Sequence, residues 1–310
     1  MGIVVIGAVF VDIKGFPEDK YIPAGRNVGR IEQLQGGVGR NVAEDIANVE
    51  LRPTFVSLVD NTGIGEDVIR KLKSHKVNTD YILRVDQGMG TWLAVFDNNN
   101  DVVASISQRP DMSALEGLLE ERGDELFSQA DSIIIEIDMD KDIVKQAFRL
   151  AKKYNKPIYT VVANMSIAVQ RRDFLLDTDC FICNRQEAGI LFSDDYSEKA
   201  PEEMAEILAE KVSRAQIPSM IITLGADGAV YASSTGDKGY CPARNVTVRD
   251  TTGAGDSFCA GAAVGLTYGK TLKEACEIGA FLAASVIMTT ENVCPRFLPR
   301  ELGIDIDVED

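Results

Sequence analysis

Short runs of aliphatic and β-branched residues alternate with segments of helical periodicity along nearly the whole chain. The strand-like runs are Ile3–Ile6, Thr54–Val59, Ile133–Ile137, Pro157–Val162, Cys180–Cys183 and Met220–Thr223. Apolar residues recur at helical spacing as Val42/Ile46/Val49, as Val144/Ala147/Phe148/Ala151, and as Met204/Ile207/Leu208 behind Pro201, which suits a first helical turn. Continuous apolar strands need both sheet faces covered, so the pattern predicts an α/β, doubly wound, mainly parallel sheet with helices on both faces.

Two stretches break the rhythm. Residues 14–35 carry Gly, Pro and charge without helical periodicity, and Thr91–Phe96 and Val102–Ser107 flank Asp97-Asn98-Asn99-Asn100-Asp101. Asn and Asp tolerate left-handed turn conformations, so the second stretch reads as a hairpin. The expected organisation is a large α/β domain over 1–13, 36–88 and 109–310, with a small β lid from 14–35 and 89–108 over the sheet's ligand edge. No internal repeat or linker interrupts it.

Composition narrows the function. With 310 residues, 45% of them apolar and 26% charged, the chain has ordinary globular composition. Its net charge of −16 repels a phosphate backbone, so no nucleic acid polymer is expected as partner. The longest nearly apolar stretch, Gly279–Met288, is about half the roughly 20 residues that a membrane span needs. Met1–Asp12 lacks a basic region and a small-residue cleavage site, and the expected location is cytoplasmic. Six cysteines in so long a chain fit reduced thiols, and Cys180 and Cys183, three apart on one strand, point to opposite faces. The single histidine, His75, lies in a charged run that reads as a solvated helix end; alone, it excludes His-based triads.

The most informative string is Asp250-Thr251-Thr252-Gly253-Ala254-Gly255-Asp256-Ser257-Phe258, after the strand-like Asn245–Val248 and before a small-residue helix Ser257–Leu266. Glycines at a helix start let backbone N–H groups converge on an anion, and the helix dipole adds to the attraction. Asp256 beside such a pocket can take a hydroxyl proton while the amides of Gly253, Ala254 and Gly255 hold a transferring group. The blander alternative is a glycine turn with Asp256 as a helix cap. Gly36-Gly37-Val38-Gly39-Arg40-Asn41 is a second close-approach loop; it fails as a dinucleotide fingerprint because Val42 stands where the third glycine belongs. Asn184 and Glu187 follow a strand end, where one carboxylate can hold Mg²⁺ through water or merely supply an acidic first helical turn. Asp12 is a further acid past a strand end, and Leu224–Ala229 alone would be only a hairpin turn.

In order and spacing, Gly7…Asp12, Gly36-Gly37, Asn184-x-x-Glu187, Thr223-Leu224-Gly225-Ala226-Asp227-Gly228 and Asp250–Phe258 resemble the ribokinase-like (PfkB) carbohydrate kinase family over essentially the whole chain. The resemblance implies a ribokinase-like fold and an ATP-dependent kinase. It makes Asp256 the base, Gly253 to Gly255 the anion hole, and Glu187 part of the Mg²⁺ site. Asp12, Gly37, Arg40 and Asn41 would meet the acceptor, while Asn184, Thr223, Gly225, Gly228 and Thr252 would lie at the nucleotide. Some members bind a monovalent cation such as K⁺ near the residues matching Asp250 and Thr252. Relatives of this fold often form dimers through the lid, so a homodimer is expected.

Within the family, Gly36–Ala43 looks most like pseudouridine kinases, and the lid hairpin and Thr290-Glu291-Asn292 look similar to them too. The expected reaction is therefore phosphorylation of a primary hydroxyl on a ribose-like acceptor, pseudouridine first. A free-sugar kinase for ribose or fructose is the alternative, and a sugar or nucleotide sensor without turnover is the alternative from another class.

Overall fold

The computed structural model describes residues 2–99 and 101–306; Met1 of the chain start and Asn100 of the hairpin tip lie outside the described residues. In chain order the strands are β1 Ile3–Ile6, β2 Phe10–Pro17, β3 Gly29–Gly36, β4 Thr54–Asp60, β5 Asn78–Val85, β6 Gly90–Phe96, β7 Val102–Gln108, β8 Ser132–Glu136, β9 Ile158–Val161, β10 Cys180–Asn184, β11 Ser219–Thr223, β12 Ala229–Ser233 and β13 Lys238–Cys241. The α-helices are α1 Val38–Asn48, α2 Gly63–Ser74, α3 Ala114–Gln129, α4 Lys141–Tyr154, α5 Met165–Ala168, α6 Arg185–Phe192, α7 Pro201–Ala215, α8 Ala254–Thr267 and α9 Leu272–Ile287.

The main sheet has nine strands in the order β13-β12-β11-β10-β9-β8-β1-β4-β5. It is parallel from β11 through β5, and β12 and β13 add an antiparallel edge. Strands such as Ile133-Ile134-Ile135 are apolar on both faces because each face is covered. One core joins the sheet to α3, α4, α6 and α7, and the other joins it to α1, α2, α8 and α9. Cys183 falls in the first core and Cys180 in the second, as the strand period requires.

From β1 the chain order runs to β4 and β5 on one side and from β8 outward on the other, so the crevice between β1 and β8 is the topological switch point. Two glycines let the backbone close there. A Cβ on Gly7 would lie 2.8 Å from the Gly39 Cα, and one on Gly39 would lie 2.7 Å from the Gly7 Cα.

The lid is a second sheet in the order β3-β2-β6-β7. The expected hairpin is present as β6 and β7. The expected lid start at residue 14 needs correction, because β2 begins at Phe10 and carries Asp12 on a lid strand. Register places Asp12 beside Trp92, and Trp92 beside Ser107. On the opposite face of the lid, Ile31, Leu93 and Ile106 are exposed.

Two local expectations fail. Asn245–Val248 forms no strand, since the ladder ends at Cys241 and the segment turns toward a cavity instead. His75 does end a helix, but it is only partly exposed: its Nδ1 lies 2.6 Å from Asn48 Oδ1 and its Nε2 3.5 Å from Glu44.

Helix α8 carries the glycine string at its start and small residues along its length, which let it press on α9. A Cβ on Gly261 would lie 2.9 Å from Gly279 Cα and 2.9 Å from Ile278 O. Gly261→Val should therefore destabilise the protein by about 1–3 kcal/mol through overpacking, read as a lower urea midpoint. An unchanged midpoint would mean that the α8–α9 contact opens freely.

Candidate active site

A cavity of about 310 Å³ lies between the lid and the carboxyl ends of the main strands. Phe10, Asp12, Trp92 and Ser107 line it from one face of the lid. Burial raises the Asp12 carboxyl, while Lys14 and Arg40 pull it back down. Gly36 makes room for this group, because a Cβ there would sit 2.4 Å from Asp12 Oδ2. Gly37 has φ +100°, and a side chain on it would meet the Ala8 carbonyl at 2.5 Å.

The facing wall is the start of α8. Gly253 caps the helix in the left-handed region, at φ +79°, where an added Cβ would lie 2.1 Å from the Asn292 carbonyl oxygen. Asp250 accepts the Thr252 N–H at 2.8 Å, which fixes the approach to the helix. Asp256, in the first turn, accepts a 2.6 Å hydrogen bond from Asn41 Nδ2. Burial raises its pKa to about 6 against the lowering effects of Asn41 and Arg40, with Asp12 adding to the rise.

A second cavity of about 470 Å³ lies beyond the same helix start. Thr223, Gly225 and Gly228 line one end, and Val246, Val248, Phe258, Ala280 and Ile287 give it an apolar wall. Thr251, Ala254 and Gly255 face this cavity, whereas Thr252, Gly253 and Asp256 face the first. The N-terminus of α8 thus stands between the two clefts; its Ala254 N–H donates to the Thr251 carbonyl at 3.2 Å, and the dipole of the helix points its positive end at their junction.

The fold brings together most residues singled out in the sequence. Asp12, Gly37, Asn41, Thr252, Gly253 and Asp256 share the first cavity; Thr223, Gly225, Gly228, Ala254 and Gly255 share the second. Asn184 and Glu187 stand apart as the capping box of α6: Glu187 Oε2 accepts the Asn184 N–H at 2.7 Å, and Asn184 Oδ1 accepts the Glu187 N–H at 2.9 Å. Burial nevertheless raises the Glu187 carboxyl, with contributions from Asp138 and Asp256 that place it within their field. Among the described residues, no cluster of three or more His, Cys, Asp or Glu could hold a metal by itself. Arg40 needs correction as an acceptor contact. Its side chain is fully buried, paired with Glu44 and donating to the Gln35 carbonyl, and it is absent from the cavity wall.

Sequence reading missed several groups. Glu136, at the end of β8, accepts N–H groups from Ala8 at 3.0 Å and Gly39 at 2.6 Å; burial and Asp138 raise it to about 8. Asp138 accepts the Ala163 and Asn164 N–H groups at 2.9 and 3.1 Å, and Arg109 donates to its carbonyl at 2.7 Å. Glu136 and Asp138 both end the run after a central strand, the position that α/β sheets give to ligands, and that signal could have found them. Asp45 lies behind Asp256, fully buried, accepting Ser257 Oγ at 2.8 Å and Cys294 N at 2.5 Å.

A helix start shared by a carboxylate-lined cleft and an apolar one suits an enzyme that moves an anionic group between two substrates. The chain belongs to the pfkB family of carbohydrate kinases, whose family model matches residues 2–294. Guanosine-inosine kinase from Exiguobacterium acetylicum is 36% identical over 292 residues, covering 94% of this chain and 95% of that protein. Pseudouridine kinase from Escherichia coli K12 is 24% identical, over 84% of this chain and 82% of that protein. The solved structure of Arabidopsis thaliana ribokinase with ribose and ATP shares the fold, with a TM-score of 0.81 over 97% of each chain at 20% identity. Among the described residues no helix is long and apolar enough to cross a membrane.

Burial lifts Asp45 from 3.8 to about 7, although Cys294 and Ser257 oppose the rise. Between those values the folded protein keeps a proton that the unfolded chain releases, so stability falls as pH rises through that window. Asp45→Asn removes the titration. Its Tm relative to the parent should improve from about pH 5 to about pH 8; a constant difference would mean that Asp45 is ionised in the fold.

Proposed function

We propose that the protein transfers the γ-phosphoryl group of ATP to the 5′-hydroxyl of a ribonucleoside, with purine nucleosides such as guanosine and inosine preferred. The observation that carries this reading is Asp256, a carboxylate of pKa about 6 at the junction of the two clefts. It is ionised at neutral pH yet close enough to it to accept a hydroxyl proton. The nucleotide lies along the apolar cleft, its phosphates reaching the N–H groups of Gly253, Ala254 and Gly255. Glu187 would hold one water of a Mg²⁺ ion bound with the phosphates, and the chemistry such an ion would supply is neutralisation of part of their charge. Asp250 and the segment to Thr252 remain the place for a monovalent ion.

Asp12 and Asn41 receive the ribose hydroxyls. The cavity continues past them to Trp92, Arg109, Met112, Met139 and Asn164, more lining than a lone pentose uses. Trp92 offers a stacking face, and Arg109 and Asn164 offer donors suited to a base carbonyl. The 36% relative named for guanosine and inosine supports purines over pseudouridine. The pseudouridine expectation drew on the loop containing Arg40, and the Arg40 side chain is committed to Glu44. Pseudouridine stays as the second reading on the strength of the 24% relative.

Asp256→Asn keeps the shape and the helix amides but removes the proton acceptor, and kcat should fall roughly 10²-fold or more with KM for ATP little changed. Wild-type kcat in this variant would remove Asp256 from the role of base. The acceptor is tested by kcat/KM for guanosine, inosine, adenosine, pseudouridine, uridine, ribose and fructose at saturating ATP and Mg²⁺. Guanosine and inosine should lead. Pseudouridine leading would install the second reading, ribose or fructose leading would sink the nucleoside proposal, and no turnover on any member would favour a sensor.

A further inference from the structure

Asn41 can serve Asp256 only in one of the two orientations of its amide. Turned as observed, Nδ2 donates to Asp256 at 2.6 Å. Turned over, it would set an oxygen against a carboxylate oxygen. What selects the orientation lies in a segment far along the chain. Asn292 Nδ2 donates to Asn41 Oδ1 at 3.4 Å and to the Gln35 main-chain carbonyl at 2.9 Å. A carbonyl oxygen can only accept. Gln35 therefore forces the NH₂ group of Asn292 inward, Asn292 forces Oδ1 of Asn41 toward itself, and the Asn41 NH₂ is left facing Asp256.

The segment that carries Asn292 is itself fixed to α1. Cys294 N donates to Asp45 Oδ1 at 2.5 Å, Asn48 Nδ2 donates to the Cys294 carbonyl at 2.6 Å, and Phe297 N donates to the Asn48 carbonyl at 2.8 Å. The Asn292 carbonyl meanwhile lies against Gly253, the cap of α8. One residue thus backs the helix amides with its main chain and aims the Asn41 amide with its side chain.

We propose that Asn292 is a positioning residue for phosphoryl transfer, its amide imposing the Asn41 orientation that hydrogen-bonds and holds ionised the Asp256 carboxylate. The inference rests on Asp256 being the base only for its effect on rate. The charged and titratable groups around Asp256 are Arg40 and Asp45 on α1, Asp12 on β2, Glu136 on β8, Glu187 on α6 and the Cys259 thiol on α8 itself. None of these is changed by substituting Asn292.

The test is Asn292→Ala, with Asn292→Leu as a second variant that keeps the side-chain size, abolishes the donors and adds no charge. Each is compared with the parent by carboxyl NMR titration of Asp256, by the pH profile of kcat/KM, and by thermal unfolding. Without an ordered donor, ionised Asp256 loses stabilisation, so its pKa should rise and the acidic limb of the profile should move up by about one pH unit, the worth of one hydrogen bond to a charged group. In an Asn41→Ala background, Asn292→Ala should give no further shift, because the effect passes through Asn41. A purely structural role would lower Tm and scale the rate at every pH without moving the Asp256 titration, and that result overturns the proposal. A full second shift in the Asn41→Ala background also overturns it. A raised Asp256 pKa with an unmoved rate profile would uphold the relay and remove Asp256 as base.

Discussion

The constraint on which this structure turns is the crowding of negative charge at one end of the sheet. Asp12, Asp45, Glu136, Asp138, Glu187, Asp250 and Asp256 all lie around the two clefts, in a chain whose net charge is already −16. Like charges brought together in a partly buried site oppose folding and repel an anionic substrate. Burial answers part of the problem by favouring the neutral form of some of these groups: it raises both the Glu136 and the Asp45 carboxyls. Backbone N–H groups answer another part. Ala8, Gly39, Ala163, Asn164 and Cys294 each donate to one of these carboxyls.

Helix α1 carries much of the remaining burden. Arg40, Asn41, Glu44, Asp45 and Asn48 are polar and all buried, an unusual interior for a helix. Each side chain has a partner that belongs to a different part of the fold. Glu44 meets Lys71 and His75 at the end of α2, Asn41 meets Asp256, Asp45 meets Ser257, and Asn48 meets Cys294. Burial raises the Glu44 carboxyl, but Arg40, Lys71 and His75 outweigh that and hold it below its ordinary value. A buried polar group left unpaired is costly, so the stripe fixes the register of α1 against α8 more sharply than apolar packing would.

This explains which features could be read in advance. The strands Ile3–Ile6 and Ile133–Ile135 announce themselves because both sheet faces are buried, and the glycine string announces a helix start because Gly253 must take a positive φ. Arg40 misleads for a local reason. Its place in the Gly-rich loop suggests an acceptor contact by resemblance, but in the fold Glu44, four residues on, and the Gln35 carbonyl take its side chain. Asn245–Val248 has a strand-like alternation, but its neighbour strand stops at Cys241 and its apolar side chains face the second cavity. Asp45 and the partner of Asn292 were illegible because Asp45 reaches Cys294 across 249 residues and Asn292 reaches Asn41 across 251, and no periodicity spans that distance.

The same crowding accounts for the choice of main-chain donors at the junction of the clefts. A lysine or arginine placed beside Asp256 would form an ion pair with it, lowering its pKa and weakening it for the proposed role of proton acceptor. Backbone N–H groups attract an anion through their dipoles yet carry no net charge that Asp256 could capture. The nearest cation, Arg40, is held off the cavity wall by Glu44 and the Gln35 carbonyl, so it moderates the field at Asp256 without touching the group. Glycine at 253 follows from this arrangement: the amides can converge only if the helix starts from a left-handed residue, and the Asn292 carbonyl leaves no space there for a side chain. In the proposed reaction, anion binding and proton acceptance can then share one helix turn without neutralising each other.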